Sequence, residues 1–133
     1  MARIASVLTR QDVAEWVAGY ERAWRTAGTA GLKELFTEEA TYLQQPFAEP
    51  VVGLAAIASM WEAEREGPGE VFTMEREIVA VDGDVAVVRL QVDYREPAVQ
   101  RYRDLWVMRF DEDGRCAEFE EWPFWPGRGH VPS

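Results

Sequence analysis

The chain has 133 residues and a formal net charge of −10, and nearly half of its residues are apolar. This length fits one domain with one hydrophobic core. The 24 acidic residues outnumber the 14 basic ones, and such a chain repels phosphate backbones on average, so we expect no nucleic-acid partner.

Cysteine content and apolar runs narrow the class of protein further. Cys116 is the single cysteine, which excludes an intrachain disulfide framework of the secreted kind. The first ten residues lack the apolar segment and cleavage pattern of a signal peptide. No apolar run approaches membrane-spanning length. We therefore expect a cytoplasmic protein with no membrane partner.

Three helices are predicted in the first half of the chain. Thr9 followed by Asp12 is typical of a helix start. The first helix runs to Gly28, and a short second helix covers 30–36. A third follows Gly53 and ends in the stretch 65–70. Apolar residues recur at helical spacing on one face of each helix: Val13, Trp16, Val17, Tyr20 and Trp24; Leu32, Leu35 and Phe36; Leu54, Ile57, Ala58 and Trp61.

Strands dominate the rest. Two prolines exclude a helix over 41–53, where we predict two short strands joined by a turn. Four longer strands are predicted over 71–81, 84–96, 100–110 and 115–124, with acidic, glycine-containing turns after the first and third. Residues 1–126 thus form a single α+β domain with three N-terminal helices packed against a curved, mainly antiparallel sheet, and 127–133 form a tail.

Two stretches carry a resemblance to a known superfamily: "LFTEEATYLQQPFAEPVVG" before the third helix and "VMRFDEDGRCAEFEEWPFW" near the end. On these the chain resembles the NTF2-like superfamily, and within it the SnoaL-like and ketosteroid isomerase-like proteins, over roughly residues 9 to 125. The resemblance implies a cone with an open mouth. It leaves the activity open, because this fold hosts isomerases, cyclases, dehydratases, epoxide hydrolases and non-catalytic binding domains.

The isomerase pattern is kept at one of its three catalytic positions. Counted without gaps, the resemblance places Tyr20 at the catalytic tyrosine, Gln45 at the carboxylate base and Trp106 at the neutral aspartic acid. Glutamine is no general base, and tryptophan donates only through its indole N–H. Steroid isomerisation by that machinery is therefore not expected.

Strand alternation places two acids on one aromatic face of the last hairpin. Asp104 shares its face with Trp106. A pairing of Phe110 with Arg115 sets Asp104 opposite Glu121 and Trp106 opposite Phe119, whereas a tighter turn shifts the pairing by two residues and keeps the faces. We expect both acids to line the cone.

Two carboxyl groups buried together are expected to share a proton, because desolvation and the neighbouring charge raise the pKa. Such a pair is a candidate general acid and base. SnoaL-like cyclases are similar in using acidic residues from this region of the sheet. The alternatives are that Asp104 and Glu121 lie at a solvent-exposed rim at the open end of the hairpin, or that a structural arginine neutralises them.

The strand at 84–96 has two faces, and two arguments disagree about which one points inward. Apolar patterning turns Ala86, Val88, Leu90, Val92 and Tyr94 inward, whereas the resemblance turns Arg89, Gln91 and Asp93 inward. We favour the resemblance, because Leu105 and Val107 of the next strand would join an outer apolar face that a second copy covers in a homodimer. Arg89 would then pair with Asp104 or Glu121, and Gln91 would orient polar groups.

The remaining candidates complete a pocket wall. Trp16, Trp61, Trp106 and Phe119 would form core or pocket walls, and Tyr20 would donate a hydrogen bond to a ligand oxygen or remain a core aromatic residue. His130, the single histidine, lies in the tail, and Cys116 is expected on the outer face and inert. We expect no metal site and no cofactor.

Two functions remain open. The first is a small-molecule-binding protein of the SnoaL-like kind, a cofactor-free isomerase, cyclase or hydrolase acting on an apolar or polycyclic substrate. Tyr20, Asp104 and Glu121 would handle protons in it. The second is a non-catalytic ligand-binding or dimerisation module, which predicts a cone filled by side chains.

Overall fold

The computed structural model describes residues 7–65 and 70–127. Its three helices and six strands follow the predicted order: α1 (Arg10–Arg25), α2 (Leu32–Leu35), β1 (Phe36–Leu43), β2 (Val51–Val52), α3 (Leu54–Glu64), β3 (Val71–Asp82), β4 (Val85–Glu96), β5 (Gln100–Phe110) and β6 (Cys116–Phe124). The predicted α+β fold class is confirmed. The predicted tail lies almost wholly outside the described residues, as does His130.

All six strands form one curved, unclosed sheet in the order β2-β1-β6-β5-β4-β3. Neighbouring strands are antiparallel except β1 and β6, which are parallel. The helices pack on its inner face. Among the described residues, no helix is both long and apolar enough to cross a membrane.

The start of α1 matches the sequence pattern. The Thr9 hydroxyl accepts a hydrogen bond from the backbone N–H of Asp12 at 3.0 Å, and the Thr9 backbone N–H donates to Asp12 Oδ2 at 2.9 Å. This reciprocal cap satisfies amides that have no partner within the helix. It fixes the helix start, so that Trp16 and Tyr20 face the sheet.

β1 begins five residues earlier than predicted. The stretch 36–40, predicted to end the second helix, is already strand. Phe36 is fully buried and pairs with Cys116 of β6. Pairing with a distant strand overrides the helical preference of the two glutamates at 38 and 39.

The predicted inner face of β4 was wrong. Ala86, Val88, Leu90 and Val92 are buried, because burying four apolar side chains in the core outweighs any benefit of placing charges there. Arg89 is exposed on the outer face, where its Nη1 donates to Glu77 Oε1 at 2.9 Å, and Gln91 lies on the same face.

This correction weakens the basis of the predicted dimer. The apolar residues of β4 that were expected to face outward are core residues. A smaller row remains on the outer face, each member half-buried: Val85, Val87, Leu105 and Val107.

The β5–β6 hairpin has the tighter of the two predicted pairings. Asp104 lies opposite Pro123, Trp106 opposite Glu121 and Met108 opposite Phe119. The register shifts next to Phe110, which pairs with Cys116, and this bulge turns Cys116 inward instead of outward. The Cys116 thiol is fully buried, and burial raises its pKa.

An aromatic cluster fills the narrow part of the cone. Trp16 lies at its centre, with ring centroids of Phe36, Trp106, Phe110 and Phe119 at 5.6 to 6.1 Å. Its indole N–H donates to the carbonyl of Leu35 at 2.8 Å. This end of the cone is therefore filled by side chains, and a cavity opens towards the mouth.

Candidate functional site

A cavity of about 560 Å³ opens beyond the aromatic cluster, between α1, α3, β1 and the inner face of β4 to β6. Its wall is rich in hydroxyl, carboxyl and amide groups: Tyr20, Tyr42, Tyr94 and Tyr102; Glu64, Glu70 and Glu121; Gln44, Gln45 and Gln100. Trp24, Met60 and Trp125 add apolar surface. No lysine or arginine of the described chain lines it.

The structure brings some of the predicted site residues together and separates others. Tyr20, Gln45 and Glu121 line the cavity, and Asp104 lies behind Glu121 in the interior. The remaining predicted ligand-binding residues do not line it. Of these, Trp16, Trp61, Trp106 and Phe119 belong to the core, and Arg89 and Gln91 lie on the outer face.

The two predicted acids form the polar centre of the site. Asp104 is only 4% exposed, and its Oδ2 accepts a hydrogen bond from the Trp106 indole N–H at 3.0 Å. The backbone N–H groups of Leu105 and Trp122 also favour the ionised form of this carboxyl, and its Oδ1 has no further side-chain hydrogen bond of ordinary geometry within the described residues. The Glu121 carboxyl forms a hydrogen bond with Asp104, so that a proton held on Glu121 adds one more donor to the buried Asp104 carboxyl.

Burial sets the charge of the pair. Desolvation raises the pKa of Asp104 to about 7, against the lowering effect of the Trp106 hydrogen bond. Desolvation and then the negative charge of Asp104 raise the pKa of Glu121 well above its usual range. At neutral pH the pair therefore holds at least one proton, and its two titrations belong to the pair.

Two tyrosines extend the acid pair along the cavity floor. The hydroxyl oxygens of Tyr20 and Tyr42 are 2.8 Å apart, and the Tyr42 hydroxyl donates to Glu121 Oε1 at 3.2 Å. Desolvation, followed by the charge of Glu121, raises the pKa of both phenols, so they remain protonated. The floor is a continuous chain from Tyr20 through Tyr42 and Glu121 to Asp104.

Sequence reasoning missed Tyr42 and Tyr102. Tyr42 reaches Glu121 because β1 lies parallel to β6, with Tyr42 opposite Phe119, and no local pattern reveals such a pairing. Tyr102 lines the cavity and shares the face of Asp104, so strand alternation could have identified it. Its pKa is raised, first by burial and then by Glu121.

The arrangement can take up and release a proton at the wall of a closed-ended cavity. No group of three or more His, Cys, Asp or Glu side chains within 7–65 and 70–127 is placed to hold a metal ion. The chemistry that these side chains offer is proton transfer.

Comparison with known proteins places the chain among cone-shaped domains. The model of the SnoaL-like domain matches residues 5–119. The structure of SalBIII, an epoxide hydrolase/cyclase-like enzyme with a role in pyran ring formation in the polyether salinomycin, superposes with a TM-score of 0.70 at 21% identity. The match covers 92% of this chain and 96% of SalBIII.

Two further structures show the same fold with different descriptions. An LEH-like epoxide hydrolase from M. tuberculosis is 13% identical, with a TM-score of 0.67 over 85% of this chain and 83% of its own. An NTF2-like protein of unknown function from Mesorhizobium loti is 26% identical, with a TM-score of 0.64 over 85% of this chain and 91% of its own. No protein with a curated function matches the sequence. The fold is therefore shared by enzymes and by proteins without a known activity.

Proposed function

Since the chain belongs to the SnoaL-like domain family, we propose that it binds a small organic molecule in its cavity and catalyses a cofactor-independent acid/base reaction on it. Isomerisation, cyclisation and hydrolysis are the reaction types that one mobile proton can serve. The observation that carries this proposal is the Asp104–Glu121 pair at a cavity of about 560 Å³, with Asp104 buried and Glu121 half-buried in the cavity wall.

The proton balance of the pair is simple. In the singly protonated form of the pair, Asp104 is ionised and Glu121 holds the proton. When Glu121 accepts a proton from the substrate, its own proton passes to Asp104, so that both carboxyls become neutral and the substrate becomes an anion. The reverse transfer returns a proton to the product. A base with a pKa near neutrality suits such an exchange, because it is present in both forms at the working pH.

The cavity also indicates the size and character of the substrate. Its volume lies in the usual range for small-molecule sites. The rings of Trp24, Tyr94 and Trp125 offer apolar contact, and the tyrosine, glutamine and carboxyl groups offer polar contact. The proposed substrate is a compact molecule with an apolar, ring-containing body and at least one polar group.

Ligand binding without catalysis is the second candidate, favoured by the position of Asp104 behind the cavity wall. This hypothesis predicts a cone filled by side chains, and the cavity of about 560 Å³ argues against that part of it. What remains is a binding module whose acid pair only shapes the wall.

Binding and turnover separate the two candidates. A thermal-shift screen against polycyclic ketones and alcohols, terpenes and aromatic acids should identify ligands that raise the melting temperature. Asp104→Asn and Glu121→Gln should then lower turnover of a bound compound about 10²- to 10⁴-fold, and Arg89→Ala on the outer face should not. Turnover that survives both substitutions would reject the acid/base assignment and leave the binding module.

Homodimerisation through the outer face and a cytoplasmic location stay predictions. For the dimer, the half-buried row of Val87, Leu105 and Val107 is the candidate contact. Sedimentation at micromolar concentration should give a mass of about twice 15.2 kDa. Val87→Arg should reduce that mass to the mass of one chain. A wild-type monomer would reject the dimer.

A further inference from the structure

The direction of the hydrogen bonds at the cavity floor follows from counting hydroxyl protons. Tyr42 has one hydroxyl proton, and it is donated to Glu121 Oε1. The 2.8 Å contact between the two phenols must then use the proton of Tyr20. Both phenolic protons are thus used in hydrogen bonds within the protein. The Tyr20 hydroxyl can therefore offer a ligand only the lone pairs of its oxygen.

The opposite direction would remove a hydrogen bond from the buried Asp104 carboxylate. In that case Glu121 would donate its proton to Tyr42, and Asp104 would keep only the bonds from the Trp106 indole and from the backbone N–H groups of Leu105 and Trp122. Losing a hydrogen bond to a buried carboxylate is costly. The proton of Glu121 is better donated to Asp104, which keeps Glu121 Oε1 as the acceptor for Tyr42.

We propose that the floor of the cavity is built to receive a hydrogen-bond donor, the hydroxyl or N–H group of a neutral or cationic ligand, with the Tyr20 hydroxyl oxygen as its acceptor. This inference rests on the proposed use of the cavity as a ligand site and specifies the ligand class. It reverses the role expected for Tyr20, because a ligand carbonyl would need the proton that Tyr20 gives to Tyr42.

The charges around the cavity agree with this ligand class. Three glutamates line it, at 64, 70 and 121, and no described lysine or arginine does. Arg25 and Arg65, at the ends of the two helices that border the cavity, are engaged elsewhere. Arg25 donates to the carbonyl of Phe72 and pairs with Glu21, and Arg65 donates to backbone carbonyls of the loop after α1. An anionic ligand would find no counter-charge among the described residues of the wall, whereas a donor finds several acceptors.

Matched alcohols and ketones test this directly. We would measure dissociation constants by titration calorimetry for 2-tetralol against 2-tetralone and for 9-fluorenol against 9-fluorenone. The wild-type protein should bind the alcohol of each pair about tenfold more tightly, since one extra hydrogen bond is formed. Tyr20→Phe should abolish that preference, because it should weaken binding of the alcohol and leave binding of the ketone unchanged.

Tyr42→Phe gives the sharper result. Removing the Tyr42 hydroxyl frees the proton of Tyr20, which can then turn to the cavity. The ketones should bind about tenfold more tightly to this variant, and the preference for the alcohols should vanish or reverse. Both changes remove one oxygen from a buried ring, and melting curves would verify that each variant is folded.

Three outcomes would overturn the inference: a wild-type preference for ketones, an unchanged preference in Tyr42→Phe, or no binding by either member of both pairs. Failure of the proposed function looks different. Alcohol preference without turnover of any bound compound would reject the acid/base reaction and keep the ligand class, because these measurements need binding only.

Discussion

Two tryptophan–carboxylate pairs lie on opposite faces of the same sheet and share one local geometry. Trp106 donates its indole N–H to Asp104, and Trp122 donates to Glu120, in each case two residues back along the strand. Trp106 is 3% exposed and Trp122 is 39% exposed. The same sequence motif therefore forms a surface contact on one face and the centre of a candidate site on the other.

The difference shows that burial, and not the motif, makes the chemistry. On the inner face the aromatic cluster on one side and Glu121 on the other remove water from Asp104, and the pKa of Asp104 rises to about 7. The outer face offers no such enclosure. The two faces provide matched variants for each property of the site.

The largest difference should appear when each indole is removed. Trp106→Ala should lower the free energy of unfolding by about 3–5 kcal/mol, because it opens a cavity in the core and removes a hydrogen bond from a buried carboxylate. Trp122→Ala should cost about 1 kcal/mol or less. Urea denaturation measures both, and equal losses would contradict the contrast between the faces.

Sequence patterns predicted the inner face of the β5–β6 hairpin, and the acid/base role that they gave Asp104 and Glu121 stays a prediction. The ends of the four long strands, β3 to β6, were predicted within one residue, since turns such as Asp82-Gly83 need a glycine with positive φ, which is 62° at Gly83. Alternation then placed Trp106, Asp104 and Glu121 on one face. These signals are local, and the sequence carries them directly.

Features that depend on distant contacts could not be predicted in this way. The inner face of β4 was assigned wrongly because a family resemblance was given more weight than the burial of Val88 and Leu90. The parallel pairing that brings Tyr42 to Glu121 and the bulge that turns Cys116 inward both arise from tertiary contacts.

The second prediction concerns stability against pH. Because the pKa of Asp104 is raised in the folded protein, its contribution to the free energy of unfolding is complete below about pH 4. This contribution is lost as pH rises to about 7, and the loss is on the order of 4 kcal/mol at most. The titratable groups that interact with Asp104 are Glu121, Tyr102, Tyr42 and Tyr20.

Asp104→Asn should therefore flatten the decline in the free energy of unfolding between pH 4 and 7. The outer-face variant Glu120→Gln is the matched control and should keep the wild-type dependence. Urea denaturation at several pH values gives the comparison, and an identical slope in Asp104→Asn would show that Asp104 ionises in the folded protein as it does in the unfolded chain.

The third prediction isolates the indole hydrogen bond. Trp106→Phe keeps an aromatic ring and removes the indole N–H that donates to Asp104. This change should raise the pKa of Asp104 further and lower the free energy of unfolding by about 2 kcal/mol at pH 8. Trp122→Phe, which loses the corresponding donor to Glu120, should cost less than about 1 kcal/mol. An unchanged midpoint for Asp104 in Trp106→Phe would mean that the indole does not stabilise the ionised form.

The smallest effect is expected for the exposed ion pair of β4. Arg89→Ala removes a contact with Glu77 between two side chains that are each more than half exposed, so the loss should be about 0.5 kcal/mol or less. Ligand affinity should not change. A large loss of affinity would place Arg89 in the site after all.

The most direct test of the buried acid pair is a carboxyl ¹³C NMR titration of Asp104 and Glu121, with resonances assigned through Asp104→Asn and Glu121→Gln. We predict that both carboxyls are mostly protonated at pH 6, that Asp104 titrates near pH 7, and that Glu121 titrates well above the ordinary range for glutamate. Two independent titrations near pH 4 would show that water reaches both acids, and a proton-carrying pair at the cavity would be excluded.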